Sequence, residues 1–370
     1  MISAEEAMTG TKCIDLTDRS RKEKLGTDKE EYRRLKVRFY YSGIDEPDKE
    51  PVRLVNEDIY KQLGIDNPDL DRYYRHIKVY EDLKMKEGPF HLILFSHGYG
   101  CPAEQNSSLC SHLAENGYIV ASIAHTHEAS DVVFEDGTRI DYDESLTEKM
   151  HTKSLLAYLD HYLLNRQKLS PEKAWKHFDR RQHRYSPFMM ERIEEWVKDD
   201  LFVLSCIHEM NEEEGSFLYH KIDFSHGVGA TGHSFGGAAA YHHCLNDDEI
   251  CCGVNMDGSL YGEHDEKINH KPFMQIACRT DDSTVARALI FHDKPVHFLL
   301  FKNMTHMGFT DLKLITDNKN LVGTSDPEKT MSVLNEAQLA FFDRYLKQGE
   351  TEDASKFQLD ESALSEYKVL

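Results

Sequence analysis

The chain has 370 residues, 40% of them hydrophobic and 10% aromatic, enough apolar side chain to build a sizeable globular core. A formal net charge of −21 argues against nucleic acid, or an anionic membrane surface, as a partner held by bulk electrostatics. No apolar run reaches the length of about 18 residues that a membrane-spanning helix needs, so no integral membrane segment is expected.

The first residues, "MISAEEAMTGTKC", lack a basic start followed by an apolar core, and a cytoplasmic protein is expected. The eight cysteines are scattered without a C-x-x-C pair, which fits free thiols better than a disulfide framework. Short β-rich runs then alternate with helix-length segments. Strands are expected at 35–42, 77–80, 91–97, 118–124, 227–232, 251–257, 273–278 and 296–302. Several are continuous apolar runs, as in strands covered on both faces, which predicts an α/β fold with a mainly parallel sheet flanked by helices. "VVFEDGTRI" (132–140) carries an Asp-Gly turn and reads as a surface hairpin. A helix is expected over 103–116, and another over 326–349, where Asp-Pro starts it and Gly349 stops it. Met331, Leu334, Ala337, Phe341 and Tyr345 share one face of the latter.

Residues 143–213, about seventy in all, have helical character and are too long for an ordinary crossover. Within them, 186–210 sets Ile193, Trp196, Val197, Leu201, Leu204 and Ile207 on one stripe. The segment reads equally as an inserted cap or as a thick helical layer on the sheet. No Gly/Ser/Pro-rich linker divides the chain, so a single domain over 1–370 is expected with 143–213 inside it.

"GATGHSFGGAAAYHH" (229–243) contains G-x-S-x-G between a strand-like and a helix-like stretch. A serine at a sharp strand-to-helix turn presents its hydroxyl, and flanking glycines let the two elements approach. Ser234 is therefore the candidate nucleophile. Serine needs a base held by an acid, and in this fold they follow it in the order acid, then histidine. His306 follows the last strong strand after a short turn. His242 and His243 fall in the helix after Ser234, His264 and His270 in a polar loop, His292 before the last strand and His297 inside it. For the acid, topology favours Asp281 or Asp282 after the strand 273–278, with Asp257 at the end of 251–257 left open. Two backbone N–H groups are needed for the oxyanion: that of Phe235, and one from the glycine-rich exit "LFSHGYGCP" (94–102), for which Tyr99 is the candidate.

Taken together, "FSHGYG", "LAENGYIVASIAH", "GVGATGHSFGGAAA", "CCGVNMDG" and "NMTHMGFTD" resemble the platelet-activating-factor acetylhydrolase family of α/β-hydrolases, the plasma and type II enzymes and their bacterial relatives. The resemblance covers most of the chain. It implies an α/β-hydrolase fold and Asp257 as the acid, because the family's acid follows the strand immediately after the nucleophile helix; Asp282 is the alternative acid. The implied set is Ser234, Asp257 and His306, with Tyr99 and Phe235 as oxyanion donors. The chain departs from the family at 143–190, where the substrate pocket would be shaped, and at "AHTHEAS". In the latter, His125, Thr126, His127 and Glu128 invite a metal reading, but no further ligand set has suitable spacing and serine acyl transfer needs none. No metal and no cofactor are expected.

The expected function is a serine-dependent carboxylic ester hydrolase acting through an acyl-enzyme on a small-molecule or lipid ester, short-acyl or phospholipid-like. The alternatives are an amidase, peptidase or acyltransferase with the same triad, or a non-catalytic binding protein on the same fold. The sequence carries no signal for oligomeric state.

Overall fold

Period-two patterning builds the sheet. In β2 (Tyr32–Gly43), Val37, Phe39 and Tyr41 enter one apolar cluster while Tyr40 enters another. In β4 (His91–Ser96), Leu92 and Leu94 separate in the same way from Ile93 and Phe95. Strands with two apolar faces require cover on both. The computed structural model describes residues 8–26, 31–46, 48–54, 60–61, 63–130, 132–151, 169–279, 282–349, 351 and 353–370.

Ten strands form one sheet, in the order β12 (Leu364–Val369), β11 (Val296–Phe301), β10 (Phe273–Ala277), β9 (Ile250–Met256), β8 (Val228–His233), β4, β5 (Tyr118–His125), β2, β1 (Met8–Lys22) and β3 (Val79–Glu81). From β11 through β5 all neighbours are parallel, and β12 and β2 join antiparallel at either side. Register brings Ser96 of β4 opposite Gly232 of β8, and Gly232 opposite Asn255 of β9. The carboxyl ends of the central strands thus finish level, which is where an open parallel sheet builds its sites. β6 (Val132–Val133) and β7 (Arg139–Ile140) form the expected hairpin apart from the main sheet.

On one face pack Leu109 and Leu113 of the helix Ser107–Glu115, with Met331, Leu334 and Phe341 of the helix Pro327–Phe342. On the other lie Val203, Leu204 and Ile207 of the helix Pro187–Glu212, with Tyr241 and Cys244 of the helix Phe235–Asn246. The C-terminal helix stops short of the expected 349: at Phe342 it loosens into a π-helical turn, Asp343–Lys347. Of the segment 143–213, the helices Ser145–His151, Pro171–Tyr185 and Pro187–Glu212 are described, and residues 152–168 lie outside the described residues. One stripe residue departs from expectation, since Leu201 is 39% exposed. Asp199 and Asp200 are buried in its place. All eight cysteines are free thiols. Among the described residues no helix is long and apolar enough to cross a membrane.

Candidate active site

Ser234 is the single residue between β8 and the helix Phe235–Asn246, with φ 55° and ψ −115°. A non-glycine residue there costs on the order of 1–3 kcal/mol unless its surroundings enforce it. They do: Ser234 N–H donates to Met256 O (2.8 Å) and Gly236 N–H to His97 O (3.1 Å). A Cβ on Gly236 would fall into the Ser96 carbonyl, one on Gly232 into the backbone of Gly236, and one on Gly237 into the Asn255 amide. The glycine spacing of the motif is therefore a steric requirement of the turn.

His306 follows β11 and opens a short 3-10 turn, His306–Phe309. Its Nδ1 lies 2.7 Å from Asp257 Oδ2 and its Nε2 2.9 Å from Ser234 Oγ. An ionised carboxylate can only accept, so Nδ1–H donates to Asp257 and Nε2 is left to accept from the serine hydroxyl. The His306 side chain is 43% exposed and that of Asp257 15%. His233, within the motif, donates from Nε2 to the His306 carbonyl (3.0 Å). Burial, with His306 beside it, pushes the His233 pKa down to about 3, so this ring is a neutral brace.

Asp257 sits just past β9 with φ 57°. Asn255 closes the turn, accepting from Gly258 N–H (2.8 Å) and donating to Gly258 O (2.9 Å). Oδ1 of Asp257 accepts from Cys278 N–H (2.9 Å), and the Cys278 thiol approaches Oδ2 at 3.3 Å. Burial works to raise the Asp257 pKa, but the His306 hydrogen bond and charge, with the Cys278 donors, outweigh it and hold the carboxyl below its usual range. Asp281 lies outside the described residues; Asp282 begins the helix Asp282–Ile290, and its side chain is likewise outside them. The carboxylate against His306 is Asp257. The end of β10, where topology favours the acid, supplies the donors that hold it.

Gly98 N–H donates to Gln105 Oε1 (2.9 Å), Gly100 N–H to Glu128 O (2.8 Å) and Cys101 N–H to Gly98 O (2.9 Å). Tyr99 N–H, between them, has no acceptor among the described residues, and neither does Phe235 N–H. The two side chains lock together: the Tyr99 and Phe235 rings meet edge-on at 5.4 Å, and both pack on buried Trp196 of the helix Pro187–Glu212. A cavity of about 500 Å³ adjoins this loop at Gly100–Pro102 and the histidine loop at Met307. Its lining includes the apolar or aromatic Leu54, Tyr60, Leu312 and Ile315 and the charged Arg139, Asp141 and Glu144.

Three of the "AHTHEAS" residues, His125, Thr126 and Glu128, are engaged by protein partners. His125 Nδ1 bonds Asp199 (2.9 Å), Thr126 O accepts from Arg33 (2.9 Å), and Glu128 receives a two-pronged Arg192 guanidinium at 2.8 and 2.6 Å. Arg33 grips Asp199 at 2.6 and 3.2 Å and Glu23 at 2.9 Å. Among the described residues no group of three His, Cys, Asp or Glu side chains is disposed to hold a metal.

The family model for platelet-activating factor acetylhydrolase, isoform II, matches residues 25–364. The platelet-activating factor acetylhydrolase of Gallus gallus is 22% identical over 356 residues, which cover 84% of this chain and 78% of that protein. That of Cavia porcellus is 24% identical over 335 residues, covering 84% and 72%. A ferulic acid esterase from Streptomyces cinnamoneus shares the fold, with a TM-score of 0.70 at 20% identity over 98% of this chain and 97% of that one. With a family match that runs from ahead of the sheet's second strand into its last, the chain belongs to the platelet-activating factor acetylhydrolase, isoform II, family and is a carboxylic ester hydrolase with an α/β-hydrolase fold.

Proposed function

We propose that Ser234, His306 and Asp257 form the catalytic triad of a serine esterase that works through an acyl-enzyme on short-acyl or phospholipid-like esters. The observation that carries this reading is the continuous path from Ser234 Oγ through both His306 nitrogens to Asp257, at 2.9 and 2.7 Å. Ser234 Oγ attacks the ester carbonyl carbon as its proton passes to His306 Nε2, and Asp257 stabilises the imidazolium without taking its proton. The carbonyl oxygen, now an oxyanion, is met by the N–H groups of Tyr99 and Phe235, which have no acceptor among the described residues to give up. His306 returns the proton to the leaving alkoxide, then takes one from water, whose oxygen attacks the acyl carbon and frees Ser234.

The cavity supports an ester with both apolar and polar parts, because its lining carries side chains of both kinds and its volume of about 500 Å³ suits a small molecule or one short lipid arm. In this reading the whole chain is one catalytic domain, and 143–213 is an insertion whose Trp196 buttresses the oxyanion loop.

Ser234→Ala should lower turnover of a chromogenic ester by about 10⁶-fold, the size seen when a triad serine is lost elsewhere, and should abolish labelling by a fluorophosphonate. Retention of wild-type rate in clean protein would overturn the assignment. A series of ester chain lengths, including a phospholipid with a short second acyl chain, tests the substrate class: a steep fall beyond butyryl supports it, a flat or rising profile points to a general lipase.

A further inference from the structure

We infer that Gln105 is a positioning residue that ties the oxyanion loop to the histidine loop and fixes where Tyr99 N–H points. The inference rests on the roles proposed above for Tyr99 and His306. Gln105 is 8% exposed, in the turn Ala103–Asn106 that leads into the helix Ser107–Glu115. Its Oε1 accepts from Gly98 N–H (2.9 Å), and its Nε2 donates to Asn106 Oδ1 (2.8 Å). Asn106 Nδ2 in turn donates to Phe309 O (2.7 Å), and the Gln105 carbonyl accepts from Asp311 N–H (2.8 Å). Two hydrogen bonds therefore reach the His306–Asp311 loop and one reaches the Gly98–Cys101 loop, all from one pair of adjacent residues.

The polarity of this relay is dictated at both ends by backbone. Gly98 N–H can only donate, so Gln105 must present oxygen to it. Phe309 C=O can only accept, so Asn106 must present nitrogen to it. Between them the remaining Gln105 nitrogen and Asn106 oxygen match, and each group is used once. The relay acts at Gly98, the residue type that restricts the backbone least. Gly98 O is held on its far side by His97 Nδ1–H (2.7 Å) and Cys101 N–H (2.9 Å). In a trans peptide the C=O and the next N–H point in opposite directions, so holding Gly98 O directs Tyr99 N–H the other way. Gln105 pins the preceding N–H and completes the constraint.

Oxyanion donors act mainly in the transition state, so a misaimed Tyr99 N–H lowers kcat rather than raising KM. Gln105→Met keeps the length and removes both polar ends. Its expected kcat on p-nitrophenyl acetate is about 10- to 100-fold below wild type, less than the 10²–10³-fold seen when such a donor is deleted outright. KM should stay within about twofold, and affinity for a phenylboronic acid, whose serine adduct is tetrahedral, should weaken in parallel with kcat. Gln105→Glu keeps the acceptor for Gly98 and loses the donor to Asn106; its kcat should fall between the two, which also covers failure of the methionine variant to fold. Wild-type kcat and boronate affinity in a folded Gln105→Met protein would overturn the inference, as would a loss confined to KM, which would make Gln105 a substrate contact in the cavity it lines. Activity in Ser234→Ala would instead remove the triad reading itself, so the two failures are distinct.

Discussion

Asp257 has two neighbours that decide what a substitution would do. Its Oδ2 faces His306 Nδ1 and its Oδ1 faces Cys278 N–H. In Asp257→Asn the Cys278 N–H demands an oxygen, which turns the amide Nδ2 toward His306. The ring must then accept at Nδ1 and carry its proton on Nε2, where it can no longer receive the serine proton. The expected loss in kcat is about 10⁴-fold with KM little changed, the size found for the same change in a serine protease. Asp282→Ala should stay within a few-fold of wild type on the same chromogenic ester. The opposite ranking of the two variants would move the acid to the β10 end. The two candidates were not separable from strand order alone, because both follow parallel strands on the correct side of Ser234. The positions of Ser234 at a sharp turn and of His306 after β11 are legible, because one carries a steric signature in its glycines and the other follows the last long apolar strand. Asn255, Gly258 and Cys278 are not, since they act through single backbone hydrogen bonds that leave no periodic trace.

The elements divide along the same line. Every strand whose apolar residues run through both faces was readable, and the two missed ones, β1 and β12, are antiparallel additions rich in polar residues. The helix Pro187–Glu212 misled in a different way. Charged residues are read as solvent-facing, yet Asp199 and Asp200 are buried and Leu201 is exposed. Their partners come from distant elements: Arg33 of β2, His125 at the end of β5, and His243 of the helix Phe235–Asn246. That cluster bolts the helix to the sheet beside the Gly98–Cys101 loop, with the His125 ring stacked 3.8 Å from Trp196, on which Tyr99 also packs. Asp199→Ala would leave Arg33 in the interior against Glu23 alone at close range, Glu128 being 3.8 Å away. Breaking one side of a buried pair typically costs about 3–5 kcal/mol. Urea denaturation of the variant at neutral pH should show a loss of that size, and a change below about 1 kcal/mol would show that the cluster is no anchor.

At the scale of the whole molecule, buried titratable groups set a pH window for stability. Burial pushes His97, His233 and His297 down to about 3 from an unfolded value of 6.5. Between those values the unfolded chain binds three protons that the folded chain does not, so stability falls as pH drops below about 6.5. Asp311 opposes this: burial raises it to about 7, so it stays protonated in the fold and contributes one proton the other way. Burial also holds His264 well below its ordinary value, on the side of the other three histidines, so the balance stays with the unfolded chain, and each net proton is worth about 1.4 kcal/mol per pH unit. On the alkaline side the relevant group is His243. Burial alone would lower it, but the Asp200 hydrogen bond and the negative charges of Asp200 and Asp247 raise it to about 9. Its contribution is fully present below the unfolded value of 6.5 and is lost as pH rises through 9. The urea midpoint should therefore peak between about pH 6 and 7 and decline on both sides. Growing negative charge also weakens the fold at high pH, so the wild-type curve alone does not isolate His243. The difference between wild type and His243→Gln does, because both carry nearly the same excess charge once His243 has lost its proton. The variant should be less stable at pH 6.5, and the gap should close as pH passes 9. A gap that stays constant over that range would show that the His243–Asp200 pair contributes by packing and not by its charge.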